Sequence, residues 1–70
     1  MPGIGAMQDT IEEYEASCRS VQQRIHQLNE KIAACPVGTT QKLLISRRAR
    51  LYLCLWDMQY AIREMAAYIR

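Results

Sequence analysis

Most of the equipment that chemistry requires is missing from this chain of 70 residues. It has one histidine, His26, and three cysteines, Cys18, Cys35 and Cys54, with no C-x-x-C spacing among them. A structural zinc site draws four ligands from such residues, so none is expected. An odd number of cysteines argues against a disulfide framework and for free thiols in a reducing compartment. The opening stretch has neither a positive n-region nor an apolar h-region, so secretion is not expected, and the chain reads as cytoplasmic. The longest apolar run, Leu51 to Trp56, covers six residues, against roughly 20 needed to cross a bilayer. No Ser/His/Asp arrangement can be placed, and Glu12, Glu13 and Glu15 cluster where solvation and helix capping account for them. The expectation is a protein that is not an enzyme and needs no cofactor.

What the chain does have is periodicity. Ile11, Tyr14, Cys18, Val21, Ile25, Leu28 and Ile32 follow one another at spacings of four and three, which is a heptad seam along one face of a helix. Leu51, Leu55, Met58, Ile62, Met65 and Ile69 form a second seam. Between the two, Cys35-Pro36-Val37-Gly38 breaks the helix. Proline cannot continue a helix interior, and it also pushes the residue before it out of the α region. The sequence therefore predicts an all-α antiparallel two-helix hairpin, with helices over about 9–34 and 40–69. Residues 1–8, carrying Pro2, Gly3 and Gly5, are expected to form a flexible tail to the single domain 9–70. Asp9 or Thr10 is the expected cap of the first helix, paired with Glu12 or Glu13 as a capping box. Thr39 or Thr40 is the expected cap of the second, with Gly38 relieving the backbone. Pairing about this loop places Leu28 near Ser46 and Arg47, Val21 near Cys54, and Cys18 near Trp56. Cys18 and Cys54 then read as small buried neighbours in the core.

The second helix is apolar nearly all round, because Leu53, Trp56 and Tyr60 lie away from its seam. One amphipathic partner covers one stripe, and the uncovered remainder is of a size that marks an interface. A homodimer or larger assembly is expected, with helix 2 central in a helical bundle. Its expected interface comprises Leu51, Leu53, Leu55, Trp56, Met58, Tyr60, Ile62 and Met65.

Charge is divided between the halves. Residues 1–35 carry three basic and five acidic side chains, and residues 36–70 carry six basic and two acidic ones. Lys42, Arg47, Arg48 and Arg50 cluster in a segment with no acidic residue between Glu30 and Asp57, and Arg24, His26 and Lys31 come from the facing end of helix 1. Arg48 falls on the seam of helix 2, so its guanidinium needs a partner there. Glu30, a carboxylate of another subunit, and a phosphate all fit that need. With Thr39 and Thr40 at the helix start, these residues form a candidate anion site. Tyr52 and Trp56 are candidates to stack a base above it. The spacing is not that of a Walker loop, and no helix-turn-helix is visible.

The stretch Asp9-Thr-Ile-Glu-Glu-Tyr14 and the run Arg47-Arg48, Leu51-Tyr52, Asp57-Met58, Ala61-Ile62, Met65 and Tyr68 resemble short helical-hairpin proteins encoded in bacterial phages and mobile elements. The resemblance implies an accessory protein acting in the host cytoplasm and transfers no site residues. Phage proteins of this size include inhibitors of host defence, some gripping an enzyme and others sequestering cyclic nucleotide signals as oligomeric sponges. The functional expectation is accordingly a homo-oligomeric, non-enzymatic binding protein that sequesters an anionic ligand such as a nucleotide. The alternatives are a nucleic-acid-binding regulator using the same basic face, and a protein-interaction module docking a host protein. No membrane partner is expected.

Overall fold

A computed structural model describes residues 4–69. Two α-helices of 31 residues each, α1 (Ile4–Ala34) and α2 (Thr39–Ile69), form an all-α hairpin. The hairpin is a rod of 55 × 15 × 14 Å.

The two seams meet as their spacing requires. Cys18, Ile25 and Leu55 are the buried centre, and Val21, Leu51, Met58 and Ile62 pack against them. Ile11 and Leu28 are buried as well, so the five buried side chains among the described residues all lie on seam positions. Tyr14, also on the seam, stays 37% exposed because its large ring reaches past the edge of the narrow interface. Two helices side by side can bury only the stripe between them.

Helix α1 begins well before the expected Asp9 or Thr10. Met7 extends the seam one step upstream of Ile11 and is half-buried. That burial offsets the propensity cost of Gly5, about 1 kcal/mol. Of the expected tail 1–8, residues 4–8 are therefore helical, and 1–3 lie outside the described residues. Thr10 is no cap: its hydroxyl donates to the carbonyl of Ala6 at 3.0 Å, the back-bond of a threonine inside a helix.

At the turn, the amide of Cys35 donates to the Ile32 carbonyl at 3.3 Å, tightening the last turn of α1 before Pro36. The amide of Lys42 donates to the carbonyl of Gly38 at 3.1 Å, which makes Gly38 the residue that starts α2. Thr39 and Thr40 lie inside the helix, so neither is its cap. No described glycine has positive φ, so Gly38 is not relieving a left-handed backbone. The amide of Gln41 closes the corner. Its Nε2 donates to the carbonyl of Ile32 at 3.3 Å, which also accepts from the Cys35 amide, and to that of Cys35 at 3.4 Å.

Candidate functional site

The hairpin has two unlike flanks. On one, Arg24, Gln27, Leu28 and Lys31 of α1 face Arg47 and Leu51 of α2 across a groove of about 330 Å³. Arg24, Gln27, Leu28 and Lys31 are spaced three, one and three apart, which places them along one side of α1 next to its seam. Arg47 and Leu51 are one turn apart on α2. The groove thus has an apolar floor, Leu28 and Leu51, below three exposed cations contributed by both helices. No carboxylate lines it. The nearest acidic residue in sequence, Glu30, is held elsewhere: its Oε1 lies 3.2 Å from Nε2 of His26. Lys31 also stands in the last turn of α1, where a cation is favoured by the helix dipole.

The expected anion site is only partly assembled. Arg47 lines the groove, joined by Arg24 and Lys31. Thr39, Thr40, Lys42 and Arg50 are exposed and do not line it. Arg48 sits half-buried on the seam, as its spacing indicates, and its partner is an amide oxygen. Nη1 of Arg48 donates to Oδ1 of Asn29 at 2.8 Å, an amide carbonyl in place of the Glu30 carboxylate, which pairs with His26. The reason is register: Asn29 is the residue opposite Arg48, and Glu30 lies a further 100° round α1.

The other flank of α2 is apolar. Ala49, Tyr52, Leu53 and Trp56 line a hollow of about 470 Å³ with no polar lining. Tyr52 and Trp56 are neighbours with ring centroids 6.3 Å apart. Both rings lie on this flank, away from Arg24, Lys31 and Arg47, so they cannot cover a base held in the basic groove. Trp56 is 60% exposed and does not meet Cys18, because Leu55 takes the buried place. One residue along a helix is 100° of rotation, enough to turn a side chain from core to solvent.

The expected oligomer interface divides for the same reason. Leu51, Leu55, Met58 and Ile62 are used within the hairpin, and Met65 is half-buried on the same seam. Leu53, Trp56 and Tyr60 remain uncovered at 59%, 60% and 64% exposure. Ile45 and Ala49 join them on that side, as does Tyr52, expected above as a base-stacking residue; Ala49 is at the spacing of four, three and four that links it to Leu53, Trp56 and Tyr60.

The cysteines separate too. Cys18 is buried, Cys35 half-buried and Cys54 exposed, so Cys54 is not a core residue. Burial raises the Cys18 thiol above its ordinary value of 9.0; the nearby Cys54 and Glu15 push it the same way, against a smaller lowering by Arg19. A thiol shifted upward is a poor nucleophile at neutral pH. Among the described residues no cluster of three or more His, Cys, Asp and Glu side chains could hold a metal ion, and no helix is long and apolar enough to cross a membrane. No family model, curated protein or solved structure matches this chain.

Proposed function

We propose that this hairpin is a non-enzymatic binding protein whose basic groove captures a phosphate-bearing small ligand, nucleotides being the obvious class. The observation that carries the reading is the convergence of Arg24, Lys31 and Arg47 from two helices onto one apolar-floored groove with no carboxylate among its lining residues. Like charges gathered this way repel one another, and an anion seated between them relieves that repulsion. Guanidinium groups suit phosphate because their planar donor fork matches two of its oxygens. The groove volume sits at the lower end of what small-ligand sites occupy, about 300 to 1,000 Å³. With Tyr52 and Trp56 on the far flank, recognition here rests on charge and on the floor made by Leu28 and Leu51. Stacking on an aromatic ring takes no part.

Thermal unfolding of the full chain with ATP, pyrophosphate or inorganic phosphate tests this directly. A ligand at 100 times its Kd stabilises the folded state by about 2.7 kcal/mol. ATP or pyrophosphate is expected to raise Tm, Arg47→Glu combined with Lys31→Glu to abolish the gain, and Trp56→Ala to leave it intact. The reading fails if millimolar ATP and pyrophosphate leave Tm unmoved. It also fails if an oligonucleotide binds far more tightly than ATP, with affinity falling steeply with salt, because counterion release from a polyanion would then dominate.

A further inference from the structure

The apolar flank of α2 is the clearest feature that the hairpin itself leaves unused. The chain exposes 5582 Å², whereas a compact monomer of its 8.1 kDa mass exposes about 4,500 Å². The excess, about 1,000 Å², is close to the roughly 800 Å² that each partner buries in a standard protein interface. On this flank Leu53, Trp56 and Tyr60 are each about three-fifths exposed.

We infer that this flank is the seam of a homodimer in which two α2 helices pack antiparallel, completing a four-helix bundle. Three observations select a second copy as the occupant. First, the flank is itself a heptad line. Ser46, Ala49, Leu53, Trp56, Tyr60 and Arg63 follow at spacings of three, four, three, four and three, the pattern that packs knobs into holes against another helix. Second, the line complements itself when reversed. With a two-fold axis between Leu53 and Trp56, Trp56 of one copy covers Leu53 of the other. The large Tyr60 then falls on the small Ala49, whose hollow is apolar throughout. An interface about a two-fold axis needs this property, that residue i meets j while j meets i.

The third observation is charge, and it decides the direction. The first half of α2 carries Lys42, Arg47, Arg48 and Arg50 with no carboxylate, and the second half carries Asp57, Arg63 and Glu64. Parallel helices would lay four cations against four. Antiparallel helices lay the basic half over the net acidic half and bring Lys42 of one copy toward Glu64 of the other. Opposed like charges cost interfaces far more than matched rim pairs contribute. The basic groove lies on the opposite side of α2 from this seam, so the dimer leaves it open, and the inference does not depend on the anion reading.

Sedimentation equilibrium of the full chain tests the assembly, with circular dichroism to follow helix content. The expected mass at about 100 µM, a concentration at which weak specific interfaces are populated, is that of a dimer. Leu53→Asp, at an exposed position of the hairpin, is expected to weaken dimerisation at least about 100-fold, since it puts a charge at the interface centre. Glu64→Lys removes no apolar surface and is expected to weaken the dimer about threefold to tenfold, with Lys42→Glu in the same chain restoring it. A folded monomer at that concentration overturns the inference. So does a dimer indifferent to Leu53→Asp, and a failure of Lys42→Glu to rescue Glu64→Lys overturns the antiparallel direction.

Discussion

Arg48 shows what a single residue on a seam does. Positions before and after it on the same line, Leu44 and Leu51, are half-buried hydrophobes, and the guanidinium interrupts them to reach Asn29. Its hydrogen bond is partly exposed, where such a bond contributes about 0.5 kcal/mol, the low end of the usual range. A leucine there would add about 1.5 kcal/mol of apolar burial, and exposed Asn29 would return to water. Arg48→Leu is thus expected to stabilise the hairpin by about 1 kcal/mol, visible in thermal unfolding as a Tm rise of about 4–8 °C for a domain of this size. A fall in Tm would show that the Arg48–Asn29 bond outweighs the burial. Cys18 makes a second prediction at this scale. Its thiol is raised in the folded state, chiefly by burial. Above the unfolded thiol's ordinary pKa of 9.0 the unfolded chain therefore loses a proton that the folded chain keeps. By linkage the stability conferred by the neutral Cys18 is complete below that pH and declines as pH rises through it. Denaturant midpoints measured from pH 7 to 10 should fall more in the native protein than in Cys18→Ala. A thiol reagent at pH 7.5 should label Cys54 well before Cys18, and equal rates would mean that the core opens freely.

The elements owe their ends to different devices. Residues 4–34 hold together as a helix because Met7 carries the seam upstream, and no cap at Asp9 or Thr10 is needed. At the other end, closure depends on Gln41, a side chain from the first turn of α2 that satisfies the last carbonyls of α1. This couples the two helix ends to one geometry of the turn. Gln41→Ala leaves those carbonyls to water and to the Cys35 amide, and is expected to cost about 1 kcal/mol, lowering Tm by about 4–8 °C. Glutamate at this position is expected to do no better than alanine, because it presents acceptors to acceptors. An unchanged melting curve for Gln41→Ala would mean that the Pro36 turn fixes the hairpin without side-chain help.

For the whole molecule the governing fact is shape. A 70-residue globule has a radius of gyration of about 11 Å, against 16.0 Å here. A rod of two helices presents more surface than one seam can cover, and among the described residues five side chains are buried, none of them completely. The two flanks left over differ in chemistry: cations above leucines on one, leucine and aromatic rings on the other. They account separately for the binding and the assembly proposed above, and a variant on one flank reads out without disturbing the other.

Heptad spacing and Pro36 were sufficient to define two helices, their antiparallel order and most of the buried stripe, because those follow from local periodicity and a local break. The presence of Arg48 on the seam followed for the same reason. Which residue answers Arg48, where Trp56 points, and which of the helix 2 cations line the groove all depend on register between the helices. A shift of one residue between helices turns a side chain through 100°, and the spacing within each helix is silent on that shift. Asn29 instead of Glu30 opposite Arg48, and Leu55 instead of Trp56 against Cys18, were therefore decided by packing, whereas Arg24 and Lys31 facing Arg47 already followed from pairing about the turn. Local pattern dictated the rods; only their contact determined which faces remain for a partner.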